Sequence, residues 1–259
     1  MPNKTEQKYF FSIQPYWSCL EKDQNLTTDR VSITHFHWNQ EELECVPGNG
    51  QVGIMLSGPE AFQGFCYGVL DAKGSIPLHG LTDGYFMRFS PGTFSQICNI
   101  PANLIPAEGL DLRDVFSPSQ VEEMRCAIGK PDPGTALLQM IGAWSESPDS
   151  RTSSRERSLV EEVTQLIWER QGNIRVRDLE EKTMYSSRYI QSVVGSQVGV
   201  APKQLCAQIR FQQALFLLCR YPQITLSQIA QILGYSDQAH FSREFKRFSG
   251  VSPTVYQKK

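Results

Sequence analysis

No C-x-x-C pair occurs in this chain. Its seven cysteines, Cys19, Cys45, Cys66, Cys98, Cys126, Cys206 and Cys219, are odd in number and scattered. That pattern excludes the spacing of a structural zinc site and argues against a disulfide scaffold. They read as buried reduced thiols, with a redox sensor as the alternative. No apolar run approaches the roughly 18 residues that a membrane span needs. The polar start, Met1–Tyr9, lacks the apolar core of a signal peptide. There is no G-x-S-x-G elbow, no phosphate-binding glycine loop and no Cys–His pair of defined geometry. The expectation is a cytoplasmic protein with no membrane partner, no catalytic residues and no cofactor.

What is present is an asymmetric charge. From Arg151 onward 16 basic residues face 9 acidic ones, a net +7; before it 9 face 18, a net −9. A basic half joined to an acidic half suggests a nucleic-acid module fused to something else. At 259 residues the chain has room for two domains. The stretch Ser145–Ser154 is polar, serine-rich and without apolar periodicity, so it reads as a linker. The division taken is residues 1–145, a linker at 146–157, and a second domain at 158–259.

The first domain alternates short apolar runs with turns. Val31–Trp38, Val52–Leu56, Phe62–Leu70 and Tyr85–Phe89 are strand candidates. After Pro91 the pattern becomes helical. Ser117-Pro118 supplies a cap and a first-turn proline for a helix through Val121–Ile128, and Thr135–Trp144 forms another. This is a small β-barrel or sandwich followed by two helices, giving an α+β chain overall.

Beyond the linker every signal is helical. Leu159, Val163, Leu166 and Ile167 make one stripe, closed by Gly172. Further on, Thr225 and Gln228 form a capping box. Ile229, Ile232 and Leu233 give a short apolar face, Ala230 permits a close helix crossing, and Gly234 ends the helix in a tight turn. Ser236 is the expected cap of the next helix. There Phe241, Phe245 and Phe248 share the inner face. Gln238, Ser242, Arg243, Lys246 and Arg247, with His240 beside them, occupy the outer one. These side chains have the length and hydrogen-bonding groups to reach base edges and phosphates. An ordinary amphipathic helix would also carry a polar face, so one such unit is weak evidence. A second copy precedes it, with a short helix at Val176–Lys182 and a longer one at Ser186–Gln197. Ile190, Val193 and Val194 lie inside, Arg188, Gln191 and Ser192 outside. Between the copies runs a helix, Pro202–Cys219, about 27 Å long. It is a fitting strut for two helices that read DNA about one 34 Å turn apart.

Ile229-Ala230, Gly234-Tyr235, Phe241–Phe248 and Gly250–Tyr256, together with Arg210 and Ala214-Leu215, resemble the DNA-binding domain of the AraC/XylS family of bacterial regulators. The resemblance covers about the last hundred residues. It implies an all-α domain of two helix-turn-helix units in a nucleoid-associated regulator of transcription. Base contacts would fall on Arg188, Gln191 and Ser192 in the first unit. In the second they would fall on Gln238, Ala239, His240, Ser242 and Arg243, with Lys246 on the DNA backbone. The implied partners are promoter or operator DNA, RNA polymerase, a small-molecule effector and a second copy of the chain. The first unit departs from the family pattern: Glu180 replaces a small residue, Met184 the turn glycine, Val194 an aromatic and Gly195 a basic residue.

Gly84–Phe94, continuing to Leu112–Phe116, resembles family N-terminal domains, which are often cupin-like barrels. Three readings of that domain compete. Phe36, Trp38, Phe65, Tyr67, Tyr85, Phe86 and Phe89 line a ligand pocket or simply fill the core. His35, His37 and Glu41 have the H-x-H-x3-E spacing of a cupin metal site. Asp29 stands where that motif begins with glycine, however, and its second half is missing, His79 being a loose candidate. The reading adopted is no metal; a metal-binding cupin sensor or enzyme with an accessory helical domain is the alternative. Third, the helices Val121–Ile128 and Thr135–Trp144 pair with a second copy, or else pack on their own barrel.

Overall fold

The computed structural model describes residues 26–28, 30–37, 42–46, 50–72, 74–146 and 153–257. The chain folds as a β-sheet domain followed by a helical one. Among the described residues the first domain has eight strands: β1 Leu26–Thr27, β2 Val31–His37, β3 Glu42–Val46, β4 Val52–Ser57, β5 Gly64–Tyr67, β6 Gly74–Pro77, β7 Asp83–Phe89 and β8 Leu110–Asp111. One antiparallel sheet has the order β1-β2-β7-β4-β5-β8, and β3 pairs with β6 in a separate ribbon. Helices α1 Thr93–Cys98, α2 Leu112–Val115, α3 Pro118–Ile128 and α4 Pro133–Glu146 complete this domain. The four strand candidates all contain strands, the Phe62–Leu70 run only at Gly64–Tyr67. Trp38, Asp29 and Glu41 lie outside the described residues, as do positions 147–152 of the linker.

The large sheet buries both faces. Alternate residues Val31, Ile33, Val52, Ile54, Leu56, Cys66, Met87 and Phe89 pack against α1, α3 and α4 through Phe94, Ile97, Met124, Leu137 and Ile141. The opposite face contributes Phe36, Met55, Tyr67 and Phe86, which meet Ile76, Leu78 and Leu81 of the β6 segment. A strand buried on both sides reads as a continuous apolar run rather than an alternation, and Val52–Leu56 is such a run. The candidate pocket aromatics therefore divide between two cores. Phe36, Phe65, Tyr67 and Phe86 belong to the ribbon side, Tyr85 and Phe89 to the helix side. Capping behaves as the sequence requires: Ser117 and Gln120 form a reciprocal box that starts α3.

The second domain contains α5 Ser154–Glu169, α6 Val176–Thr183, α7 Ser187–Val198, α8 Pro202–Arg220, α9 Leu226–Ile232, α10 Gln238–Ser249 and α11 Pro253–Gln257. The 19 residues of α8 span about 28 Å and serve two cores. Leu205, Cys206 and Ile209 join Leu159, Val163, Ile167, Leu179, Ile190, Val193 and Val194 of α5–α7. Phe211, Ala214, Leu215 and Leu218 join the buried side chains of α9 and α10. No described helix is long and apolar enough to cross a membrane.

The β domain docks on the α5–α8 half of the helical domain. Ser95 of α1, itself buried, donates to the carbonyl of Gln197 at 2.8 Å and accepts the Ala102 amide at 2.9 Å. The Gln197 carbonyl is one of the last in α7, where no intrahelical partner exists. Gln208 of α8 donates to the Leu70 carbonyl at 2.8 Å, and Gln204 bonds to Asp71. Val69 packs into the α5–α8 core. These hydrogen bonds reach α7 and α8.

Candidate nucleic-acid interface

The α9–α10 pair is built from short-range rules. Thr225 and Gln228 cap α9 reciprocally. Gly234 follows with φ +72°, and a β-carbon there would strike the Asn173 carboxamide, so any other residue at this turn is strained. The cap of α10 differs from expectation. Asp237, not Ser236, is the N-cap, its carboxylate accepting the His240 amide at 2.6 Å. Ser236 instead hydrogen-bonds to Asp237 and to Nδ1 of His240. A carboxylate beats a hydroxyl here because it also meets the positive end of the helix dipole. That bond from His240 holds the Asp237 carboxyl below its ordinary range.

The inner face of α10 is locked. Phe241, Phe245 and Phe248 are buried, and the Phe211 ring lies 5.2 Å from both Phe245 and Phe248. Glu244 adds a polar tie. Its carboxylate accepts from Tyr235 at 2.6 Å and pairs with Arg210 at 3.3 Å, in a site where the two ionic side chains are only 12% and 21% exposed. Burial and the neighbouring Glu244 push the Tyr235 hydroxyl far above its ordinary value, so it remains a donor. Arg210 also lies over the Tyr235 ring. The helix cannot rotate without breaking these contacts. Its other side carries Gln238, Ala239, His240, Arg243 and Lys246 exposed to solvent, with Ser242 half-buried among them.

The α6–α7 pair repeats the plan with less net positive charge. Ser186 caps α7 by accepting the Tyr189 amide. Glu180 has a use: its carboxylate accepts the Ser187 amide at 2.5 Å, a second cap on the same helix end. Ile190, Val193 and Val194 are buried, and Arg188, Gln191 and Ser192 are exposed. Past Arg188 the outer face of α7 has no cation, and Gly195 opens onto empty space where a side chain would fit. Met184 holds the left-handed turn with φ +59° and is 88% exposed. A residue with a β-carbon pays about 1–2 kcal/mol for that conformation. Met184→Gly should therefore stabilise the chain by about 1 kcal/mol, and urea unfolding is the check; a neutral or negative change would show that the Met184 side chain offsets its own strain.

The alternative chemistries have these geometries. His35 Nε2 and His37 Nδ1 lie 3.4 and 3.3 Å from one Asp83 oxygen. Among the described residues no group of three or more His, Cys, Asp or Glu is arranged to hold a metal ion. Burial raises the thiol pKa of Cys66 and Cys98, and that of Cys206 to about 11, so these thiols stay protonated and unreactive.

Residues 179–259 match the model of a helix-turn-helix domain family. The relatives include the Msm operon regulatory protein of Streptococcus mutans, 27% identical over 47% of this chain and 44% of that protein. They also include the probable transcriptional regulator LumQ of Photobacterium leiognathi, 36% identical over 34% and 35%, and the transcriptional activator RhaR of Pectobacterium carotovorum, 33% identical over 30% and 28%. The C-terminal domain is an AraC-type helix-turn-helix domain. The chain spans less than half the length of these curated relatives. Among solved structures, an apo variant of ToxT from Vibrio cholerae is 12% identical, with 91% of this chain and 98% of that one covered and a TM-score of 0.47. The C-terminal domain of AraT from Geobacillus stearothermophilus is 27% identical, with 42% and 88% covered and a TM-score of 0.36.

Within the AraC-type domain, the nine sequence-derived candidates fall on two helices, three on α7 and six on α10. The supporting residues were missed. Asp237 and Glu244 are acidic residues on an otherwise basic surface, and that anomaly was the available signal. Glu180 shows only as a departure from the family pattern, and Ser227, which bonds Gln238, gives no signal at all.

Proposed function

We propose that this protein is a sequence-specific regulator of transcription that binds promoter DNA through two helix-turn-helix units, α6–α7 and α9–α10. The observation that carries the reading is α10: one face pinned by three phenylalanines and the Glu244–Arg210 pair, the other exposing Gln238, His240, Arg243 and Lys246. A rigid helix with donors on one side is what major-groove recognition requires. The matched relatives are named as regulators. Arg188, Gln191 and Ser192 on α7 make the second, weaker set of contacts, and α8 is the strut between units.

In this reading the N-terminal domain, a six-stranded sheet with a two-stranded ribbon, is a cupin-like barrel that senses a small molecule, and its docking on α7 and α8 is the route by which a bound effector reaches the DNA-binding domain. Helices α3 and α4 are the surface offered to a second copy, although Leu138, Met140 and Trp144 of α4 also pack on their own core, and RNA polymerase is the downstream partner. The test is binding-site selection: the full chain incubated with a duplex pool randomised over about 20 base pairs at near-physiological salt. Enrichment of a motif with two parts about one helical turn apart is expected. Retention of DNA with no enriched motif would reduce the protein to a non-specific binder.

A further inference from the structure

The residue that faces DNA first on α10 is not free to present either end of its amide. Gln238 is the first residue of α10, and the hydroxyl of Ser227, the second residue of α9, donates to its side-chain oxygen at 2.7 Å. Thr225 and Gln228 are engaged with one another in the α9 cap, so Ser227 is the α9 side chain that reaches across the turn. We propose that Ser227 is a positioning residue that sets which base Gln238 recognises; this rests on the reading of α10 as the groove-entering helix.

Base choice here is a matter of donors and acceptors. A carboxamide carries an acceptor oxygen and a donor nitrogen. Glutamine reads adenine by using both ends, accepting from N6 and donating to N7. Ser227 draws the oxygen towards α9, which turns the two N–H groups away from Ser227. The oxygen keeps a second lone pair, but on the α9 side; the end turned away offers donors alone and matches an edge made of acceptors. Guanine presents two, O6 and N7, whereas adenine sets its own N6 donor against the amide. Gln238 held this way prefers guanine and rejects adenine, reversing the ordinary preference of its residue type. Both Ser227 and Gln238 are exposed, so the bond organises the recognition surface and carries none of the core.

The experiment is binding-site selection from the same randomised duplex pool, using full-length wild type, Ser227→Ala, Ser227→Thr and Gln238→Ala. Wild type and Ser227→Thr should enrich guanine at one position. Ser227→Ala should move that position towards adenine, with a change of about tenfold in the guanine-to-adenine ratio. Gln238→Ala should flatten the same position while the rest of the motif persists. If Gln238→Ala flattens the position but Ser227→Ala leaves its preference intact, or lowers affinity evenly for all bases, Ser227 is merely a staple between helices and the proposal fails while the docking stands. If Gln238→Ala leaves every position unchanged, the placement of Gln238 against a base fails, and the proposal with it.

Discussion

Phe245→Ala should destabilise the helical domain by about 3–5 kcal/mol, the range for emptying a buried phenylalanine site. Phe245 is 1% exposed, and it contacts rings from three other elements or positions: Phe211 on α8, Phe241 one turn earlier, and Tyr256 on α11. The cavity cannot collapse easily, because α8 is held on its far side by the α5–α7 core. Urea unfolding of the full chain, followed by far-UV circular dichroism, would show the loss in the helical transition. Val255→Ala, at an exposed position one residue from the same cluster, should change stability by less than about 0.5 kcal/mol. Equal effects from both would mean that the aromatic cluster does not define the attitude of α10.

The second large effect concerns binding. Arg243→Ala should weaken affinity for the selected site by about 1–3 kcal/mol, roughly 5- to 150-fold, and leave affinity for a scrambled duplex almost unchanged. A guanidinium donates in parallel to a base edge, so its loss removes discrimination more than attraction. Lys246→Ala should do the reverse. It should weaken binding to all duplexes alike and reduce the slope of log affinity against log salt by about one. Titration by fluorescence anisotropy at several salt concentrations separates the two. A uniform loss from Arg243→Ala would move that residue from the bases to the backbone.

Much of the helical domain was legible because its signals are local. A capping box, a turn glycine and phenylalanines at positions 241, 245 and 248 lie within one stretch of sequence, and no distant contact is needed to read them. The β domain was less legible. Strands β1 and β8 have two residues each, too few for a pattern, and β4 hides its period because both of its faces are covered. The cap of α10 was misplaced by one residue because Ser236 and Asp237 both suit the position; the choice is made by electrostatics at the helix end. The docking of the two domains left no trace in the sequence. Ser95, Asp71, Gln204 and Gln208 are ordinary polar residues, and only the fold brings them to the ends and flank of α7 and α8.

The asymmetry between the two helix pairs follows from the same facts. Both carry a buried apolar face and a proper cap. On α10 the outer face continues from Arg243 to Lys246 and Arg247, whereas on α7 the corresponding stretch after Ser192 runs Val193, Val194, Gly195 and Ser196. The α7 helix has one arginine with which to hold the duplex. In the proposed mode of binding, recognition centres on α10, with α7 supplying register and a smaller share of the energy.

The most direct test of this account is methylation protection of guanine N7 on the selected site, with full-length wild type, Arg243→Ala and Arg188→Ala compared at equal occupancy. The account predicts protected guanines in two successive major grooves, with Arg243→Ala exposing those of the stronger half and Arg188→Ala exposing at most those of the weaker one. Protection in a single groove, or protection that survives Arg243→Ala unchanged, would contradict it.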